Sequence, residues 1–221
     1  MKLIQCFKAI IKEFIRFYRV EYYKLLEELI QDCDSCLDLG CGSNSPLSKI
    51  ENSKQYCLGV DIFENYIEIS KKKKIHNDYL LLNILEIDRK IPEKSFDCVL
   101  LLDVIEHLEK LDGIKLIKKI EKIAKKKIII FTPNGFLHQD KYDDNIYQIH
   151  RSEWNYNIFK KLNFQIYGIN GLKFIRRERV CIKYKPVRFW RNFSNFSEKF
   201  VKFIPKLAFH LLCVKNIVAD S

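Results

Sequence analysis

The sequence CLDLGCGSNSP, residues 36–46, carries the strongest structural signal in this chain. It begins as a short apolar run and passes through a glycine turn, and Ser45 followed by Pro46 makes a favourable helix N-cap and first helical residue. Gly40 and Gly42 allow the backbone to approach a ligand with no Cβ atom in the way. The segment therefore predicts a strand, a tight turn and a helix start that together hold a small ligand.

Two classes of nucleotide cofactor bind at a turn of this kind, and the surrounding residues separate them. Asp61 lies 21 residues beyond Gly40, after the next apolar run, where an acid can accept both hydroxyls of a ribose. A dinucleotide-binding fingerprint would place a third glycine where this chain has Ser45. Asp38 would repel a pyrophosphate, but it suits a ligand with an ammonium group, such as the methionine part of S-adenosylmethionine.

The chain has 221 residues, 48% of them hydrophobic, and can bury one full core. From residue 35 onward, apolar runs alternate with amphipathic stretches, which is typical of βαβ units around a parallel sheet. Strands are predicted near residues 35–39, 56–60, 79–84, 96–102, 127–132, 164–169 and 208–215. Helices are predicted at residues 46–53, 64–74, 113–126 and 152–161, and the lysine run 125–127 is predicted to be a solvated surface. An amphipathic N-terminal helix is expected over residues 1–30, ahead of one domain at 31–221.

Four motifs in this order resemble those of class I S-adenosylmethionine-dependent methyltransferases. They are LDLGCG at 37–42, GVD at 59–61, FDCVLLLDVIEHL at 96–108 and IIIFTPN at 128–134. The resemblance spans about residues 35–214 and implies an α/β fold, a Rossmann-like three-layer sandwich. It implies a seven-stranded, mostly parallel sheet whose antiparallel last strand is formed by residues 209–215. It also implies methyl transfer with S-adenosylmethionine as cofactor.

The resemblance assigns cofactor-binding residues by their position in the motifs. In that family the glycine loop and its first acid hold the methionine portion, the acid after the second strand binds the ribose, and residues after the third strand flank the adenine. Carried over to this chain, the cofactor-binding set is Asp38, Gly40, Cys41, Gly42, Asp61, Ile62, Asn83, Ile84 and Asp103. Asn83 stands where the family usually has Asp, so it offers an amide oxygen to the adenine amine but no charge.

The acceptor side is expected after the fourth and fifth strands. His107 is the candidate catalytic base, because histidine suits proton removal near neutral pH; the alternative is that it only orients the loop. Residues 136–154 are expected to form a lid over the acceptor, with an ordinary packed crossover as the alternative. The candidate substrate residues in this segment are Tyr142, His150, Arg151 and Trp154. No metal site is predicted, since Cys33 and Cys36 form a CxxC pair with no second ligand pair nearby.

Absent motifs narrow the class of methyl acceptor. No NPPY-type tetrad and no Pro-Cys or Thr-Cys pair follows the fourth strand, which disfavours enzymes that methylate nucleic-acid amines or pyrimidine C5. The DVIEHL pattern is similar to methyltransferases of small metabolites, quinone precursors, lipids and glycans. The alternatives are an RNA methyltransferase and a non-catalytic scaffold that keeps the cofactor fold.

Positive charge is concentrated in two segments. Residues 171–206 carry eleven Lys and Arg against two acidic residues, and residues 1–24 carry six against two, out of a net charge of +11. Residues 171–206 form a basic amphipathic insertion before the last strand, and within it 187–204 predict a helix with phenylalanines on one side and basic residues on the other. Such a helix fits an anionic membrane surface, with packing on its own protein and binding to an RNA backbone as alternatives.

The same patterns lead to an expected location. The longest stretch without charged side chains is 128–139, too short for a spanning helix, which needs about 20 apolar residues. Charged residues at 8, 12, 13 and 16 interrupt any signal-peptide core. We therefore expect a cytoplasmic protein, peripheral at the membrane, with a small-molecule or lipid-linked acceptor as its partner.

Overall fold

The computed structural model describes residues 22–50, 56–140, 145–177 and 181–218. Most of the N-terminal helix predicted for 1–30 lies outside these residues. Its last part, residues 22–30, is helical and is called α1. The side chains of Tyr22, Leu25, Leu26 and Ile30 are buried, so α1 packs on the protein with its apolar face.

A seven-stranded sheet forms the centre of the molecule. Its strands are β1 Ser35–Leu39, β2 Tyr56–Asp61, β3 Asp78–Leu81, β4 Phe96–Leu102, β5 Ala124–Pro133, β6 Gln165–Leu172 and β9 Ala208–Asn216, with a small separate hairpin of β7 Arg176–Arg177 and β8 Cys181–Ile182. The order across the sheet is β3-β2-β1-β4-β5-β9-β6. Only β9 runs antiparallel to its neighbours, β5 and β6. The predicted mixed sheet with an antiparallel last strand is confirmed.

Helices on the two faces of the sheet complete three layers. They are α1, α2 Glu64–Lys73, α3 Lys110–Ile123, α4 Tyr156–Lys161 and α5 Val187–Val201. One core joins α3 and α4 to side chains such as Leu37, Val99 and Ile128. The other core joins α1 to Cys36, Leu100 and Ile129, which point to the opposite face because neighbouring side chains alternate along a strand.

The structure differs from the sequence prediction in the extent of two helices. The helix predicted at 46–53 is a short 3-10 turn, Pro46–Lys49, because the Ile50 backbone is already extended; residues 51–55 are not among those described. The helix predicted at 113–126 ends at Ile123, so the lysine run 125–127 lies in β5, where Lys125 and Lys126 are exposed as predicted. Lys126 and Lys127 reach Asp97 and Asp32 at 3.0 and 2.6 Å, so these lysines are partly fixed in ion pairs.

The carboxyl ends of the parallel strands all lie at one edge of the sheet. Gly40 follows β1, Asp61 ends β2, Asn83 comes shortly after β3, Asp103 follows β4 and Asn134 follows β5. The chain order reverses between β1 and β4, and this kind of switch point opens a crevice for ligands. The topology therefore brings together residues that are up to about a hundred positions apart in the sequence.

Candidate active site

The glycine turn after β1 is locked by the neighbouring strand. The N–H groups of Gly40 and Cys41 both donate to the Val60 carbonyl, at 2.7 and 3.0 Å. Gly40 has a φ of +70°, and a Cβ atom there would lie 2.7 Å from a methyl group of Val104. Only glycine fits this position, because any side chain would collide with the residue that begins the loop after β4.

Asp61 fixes the turn from the end of β2. One carboxylate oxygen accepts the N–H of Gly42 at 2.8 Å, and the other accepts the N–H of Phe63 at the same distance. Burial raises the pKa of this carboxyl, while the N–H groups that it accepts oppose the rise. The carboxylate is thereby held rigidly at the wall of a cavity, with lone pairs left for ligand hydroxyls.

A cavity of about 280 Å³ lies at this edge of the sheet. Its walls come from the loops after β1, β2, β3 and β4 and from the segment after β5. The lining residues are Gly40, Asp61, Ile62, Asn83, Ile84, Leu85, Asp103, Val104, His107, Leu108, Glu109, Asp112, Asn145, Tyr147, Gln148 and Arg151. The structure thus brings together six of the nine predicted cofactor residues, the predicted catalytic residue and one predicted substrate residue.

The other three predicted cofactor residues belong to the turn without lining this cavity. Cys41 is buried, with its sulfur facing Gly59. Gly42 has a φ of +58° and no atom within 4 Å of the position that a Cβ would take. The space over Gly42 is therefore open to a ligand that lies along the turn.

Asp38 is turned into the interior of the loop and is only 2% exposed. One of its oxygens accepts the Ser45 hydroxyl at 2.6 Å and contacts Nε2 of His76 at 2.8 Å. The sequence predicted that this carboxylate contacts a ligand ammonium group. In the structure its hydrogen bonds instead connect β1 to Ser45, at the start of the 3-10 turn, and to His76, in the segment before β3. His76 was missed by the sequence analysis, since no motif surrounds it.

Tyr22 on α1 is a second residue that the sequence analysis did not single out. Its hydroxyl is buried and has no hydrogen-bond partner within the described part of the chain. Burial and the nearby charges of Asp103 and Asp38 raise its pKa. A buried hydroxyl without a partner is costly, so Tyr22 is an unusual member of the core between α1 and the sheet.

The side expected to hold adenine is formed by Asn83 and Ile84. The Asn83 amide oxygen accepts the N–H of Leu85 at 3.0 Å and caps the 3-10 turn Ile84–Arg89. The predicted contact with the adenine amine would use the remaining lone pair of this oxygen. Ile84 and Leu85 also line the cavity and offer an apolar surface for a flat ring.

His107 lies at the other side of the cavity, in the 3-10 turn Ile105–His107 after β4. Its Nδ1 donates to the Ile149 carbonyl at 3.2 Å, and its ring lies 4.7 Å from that of His150. Burial, with a smaller contribution from His150, lowers the pKa of His107 to about 4. The ring is therefore neutral at pH 7, but it holds a proton weakly and is a poor general base.

Two acidic residues lie in the same turn. Asp103 lines the cavity in a left-handed conformation with a φ of +57°, and its side chain is exposed there. Glu106 is 3% exposed; burial, followed by the charge of Asp103, raises its pKa well above the usual range. Its carboxylate accepts the Thr132 hydroxyl at 3.0 Å, and its backbone carbonyl accepts the N–H groups of Arg151 and Ser152.

Of the four predicted substrate residues, one lines the cavity, two lie behind its wall and one is outside the described residues. Arg151 lines the cavity, and His150 contacts His107 from behind it. Trp154 is fully buried, donates from its indole nitrogen to the Ile105 carbonyl at 3.1 Å and packs on Gly113, so it does not line the cavity. Tyr142 lies outside the described residues. Tyr147 and Gln148 line the cavity as part of the predicted lid segment.

Comparison with known proteins gives one family and a set of similar folds. Residues 37–131 match the family described as "Methyltransferase domain". No curated protein sequence matches the chain. None of the helices in the described residues combines the length and apolar character needed to cross a membrane.

Three solved structures show the same fold. A SAM dependent methyltransferase from Archaeoglobus fulgidus superposes with a TM-score of 0.55 at 18% identity, over 88% of this chain and 94% of that chain. The PH0226 protein from Pyrococcus horikoshii gives 0.56 at 18% identity, over 90% of each chain. N-methyltransferase NodS from Bradyrhizobium japonicum gives 0.57 at 11% identity, over 91% of this chain and 97% of that chain.

The residues present fit S-adenosylmethionine. The open space over Gly42, the fixed carboxylate of Asp61 and the amide oxygen of Asn83 supply room and polar groups for an amino-acid nucleoside. The matched family and the sheet order agree with this fit. The chain therefore carries a methyltransferase domain over residues 37–131, within a fold similar to that of solved methyltransferases, and its cavity fits S-adenosylmethionine.

Proposed function

We propose that this protein methylates a hydroxyl, enolate carbon or amine of a lipid-linked acceptor at an anionic membrane surface. The methyl-transfer activity follows from the domain and its fold. One observation carries the choice of acceptor: the aromatic side of α5 faces solvent. Phe196 and Phe200 are 60% and 56% exposed, and Phe189 and Phe193 are also exposed on the same side.

The side of α5 that packs on the sheet is polar. Ser194, Ser197 and Glu198 are buried and bond the edge strand β6 and the segment after it. The sequence analysis expected the basic residues to lie opposite the phenylalanines, but the opposite side is this small polar one. Arg188 and Lys199 are exposed next to the aromatic side.

The arrangement has the chemistry of a membrane-interface element. Phenylalanines enter the boundary between headgroups and acyl chains, while neighbouring Lys and Arg attract anionic headgroups, each worth about 1 kcal/mol near the surface. Exposed apolar residues continue beyond α5 with Phe203, which is 82% exposed, Ile204 and Leu207. The result is a larger apolar patch than single exposed side chains usually make.

This patch is tied to the edge of the sheet that carries the cavity. The side-chain amide of Asn134, directly after β5, donates to the carbonyls of Pro205, Lys206 and Ala208. The segment after α5 is therefore anchored at the carboxyl ends of the parallel strands. This supports a membrane-bound acceptor that reaches the cavity from the patch.

Within the cavity, the chain's residues divide into two groups. Asp61, Ile62, Asn83, Ile84 and the Gly40–Gly42 turn would hold the cofactor, which supplies an electrophilic methyl group when bound. His107, Tyr147 and Arg151 line the part of the cavity that is left for the acceptor. These residues orient the acceptor and exclude water, and positioning of this kind supplies most of the rate in a transfer between two bound reactants. Cys33, Cys41, Cys57, Cys98 and Cys213 are free thiols, which supports a position on the cytoplasmic side.

Flotation with vesicles tests the membrane part of the proposal. The full chain should float with vesicles of phosphatidylglycerol and phosphatidylcholine, and the Phe196→Ser/Phe200→Ser variant should float at least about tenfold less, since two phenylalanines lose apolar transfer energy at the interface. Leu111→Ser is the matched control, because Leu111 is 70% exposed on α3, away from the aromatic side. Absence of flotation, or equal loss in the control, would show that the patch is not a membrane-binding element.

Labelling tests the reaction itself. Membrane extract of the host incubated with the protein and S-adenosylmethionine carrying a labelled methyl group should yield a labelled product in the lipid fraction. Label in the RNA fraction alone would instead support an RNA methyltransferase. Affinity for S-adenosylhomocysteine with no labelled product in any fraction would support a non-catalytic scaffold.

A further inference from the structure

Three side chains with metal-binding atoms meet beside the cavity. One such atom from each of Glu106, His107 and His150 lies within 4.8 Å of the other two. Glu106 and His107 come from the turn after β4, while His150 comes from the segment after β5. The fold therefore assembles this cluster from two distant parts of the sequence.

The hydrogen bonds of both histidines leave the same nitrogen available. Nδ1 of His107 donates to the Ile149 carbonyl at 3.2 Å, and Nδ1 of His150 donates to the Leu137 carbonyl at 2.6 Å. Because each Nδ1 carries the proton, each Nε2 carries a lone pair. A main-chain carbonyl that holds the far nitrogen of an imidazole is the usual outer contact of a metal-bound histidine.

Glu106 is oriented in a comparable way. One carboxylate oxygen accepts the Thr132 hydroxyl at 3.0 Å, and Thr132 is itself fully buried at the end of β5. Among the described residues, no Lys or Arg side chain lies within ion-pair distance of Glu106. The hydrogen bond from Thr132 occupies one oxygen of the group, so Glu106 retains acceptor capacity for a bound ion.

We propose that Glu106, His107 and His150 bind one divalent transition-metal ion. Two imidazole nitrogens and one carboxylate oxygen suit Zn²⁺, Mn²⁺, Fe²⁺ or Co²⁺ and leave coordination positions open. His107 also lines the cavity, so the ion would lie beside the space left for the acceptor. An ion held by these residues would offer a place to a hydroxyl oxygen of the acceptor and would lower the pKa of that hydroxyl, whose proton would pass to water.

This role in acceptor binding rests on the proposed function, whereas binding of the ion does not. A bound ion would also select among the proposed acceptor groups, because a hydroxyl oxygen can bind the ion and an enolate carbon cannot. His107 then acts as a metal ligand, which agrees with its fixed Nδ1 proton and its position between the cavity and His150.

Titration of the chelator-treated full chain with Co²⁺ tests the site. Binding is measured by the visible d–d absorption of Co²⁺, and by calorimetry with Mn²⁺ and Zn²⁺. We expect one ion per chain, with affinity weakened at least about tenfold in Glu106→Gln and in His150→Ala, since even the loss of an outer contact weakens metal sites by about 10–100-fold. His138→Ala is the matched control, because His138 is an exposed histidine of the same segment.

Two results would overturn the inference. One is that the full chain binds none of the three ions at one per chain. The other is that His138→Ala weakens Co²⁺ binding as much as His150→Ala does. Titration with S-adenosylhomocysteine, alongside circular dichroism, shows whether each variant is folded. If the full chain binds S-adenosylhomocysteine but not Co²⁺, only the metal site is contradicted. If it binds Co²⁺ but not S-adenosylhomocysteine, only the proposed function is contradicted.

Discussion

The helices α3 and α5 are both amphipathic, but they meet the protein with opposite sides. α3 buries Leu116, Ile117 and Ile120 and exposes its lysines. α5 buries Ser194, Ser197 and Glu198 and exposes its phenylalanines. Periodicity therefore identifies a helix and its two sides, whereas the partner surface decides which side is buried.

The partner surfaces differ in their free hydrogen-bonding groups. α3 covers strands inside the sheet, whose N–H and C=O groups already bond other strands. α5 lies against β6, the edge strand. Its Glu198 and Ser197 accept the N–H groups of Asn170 and Leu172, which have no further strand beside them. Covering an edge with polar groups is one way to protect it from pairing with other chains.

The largest expected difference between the two helices concerns stability. Leu116→Ala should lower the free energy of unfolding by about 2–5 kcal/mol, because it leaves a cavity under α3. Phe196→Ala should change it by no more than about 0.5 kcal/mol, because that side chain is exposed. Urea unfolding measures both. A loss of more than about 2 kcal/mol in Phe196→Ala would mean that the aromatic side packs on the protein after all.

A second test addresses the close approach of α5 to β6. A Cβ atom at Gly168 would lie 2.0 Å from the Val201 carbonyl oxygen, so Gly168→Ala should cost about 1–3 kcal/mol by forcing the helix outward. Hydrogen exchange should rise in α5 and not in α3. Ser43→Ala, a change of similar size in the half-buried turn after β1, is the control and should leave exchange in α5 unchanged. An equal rise of hydrogen exchange in both helices would contradict a close contact specific to α5 and β6.

The polar layer beneath α5 should respond to pH, and the apolar layer beneath α3 should not. His210 on β9 accepts the Asn170 amide at 2.9 Å, and burial lowers its pKa to about 3. Between this value and about 6.5, the unfolded chain binds a proton that the folded chain does not. Stability present above pH 6.5 is therefore lost as the pH falls, by about 1.4 kcal/mol at pH 5.5.

The variant His210→Gln keeps a polar side chain but cannot titrate in this range. We expect the difference in unfolding free energy between pH 7 and pH 5.5 to shrink by about 1.4 kcal/mol in this variant. His138→Ala, which removes an exposed histidine, should leave the difference unchanged. A pH response as large in His210→Gln as in the parent chain would place the sensitive group elsewhere.

The smallest expected effect concerns the contribution of single lysines on α5 and α3 to vesicle binding. Lys199→Gln on α5 should reduce partition to anionic vesicles about fivefold, which is about 1 kcal/mol. Lys118→Gln on α3 removes the same charge from an exposed position and should have no effect. Flotation at low and high salt measures both. Equal loss in the two variants would show that only total charge matters.

Much of the fold and part of the site could be predicted from the sequence. All seven strands occur close to their predicted positions because apolar runs of this length bury well in a sheet. Asp61, Asn83 and His107 reach the cavity because they follow strands that end at one edge. Asp38 and Trp154 were expected at ligands, but their side chains are buried, and motif positions do not specify the direction of a side chain.

The sequence by itself determined the order of elements, the glycine turn and the two sides of each amphipathic helix, because local sterics and hydrophobic periodicity act over a few residues. Only the tertiary structure decided that α5 turns its phenylalanines outward and that His107 and His150 meet Glu106. Those outcomes depend on which strand ends at the sheet edge and on which loops share one end of it. Contacts between residues so far apart in the chain leave no periodic trace in the sequence.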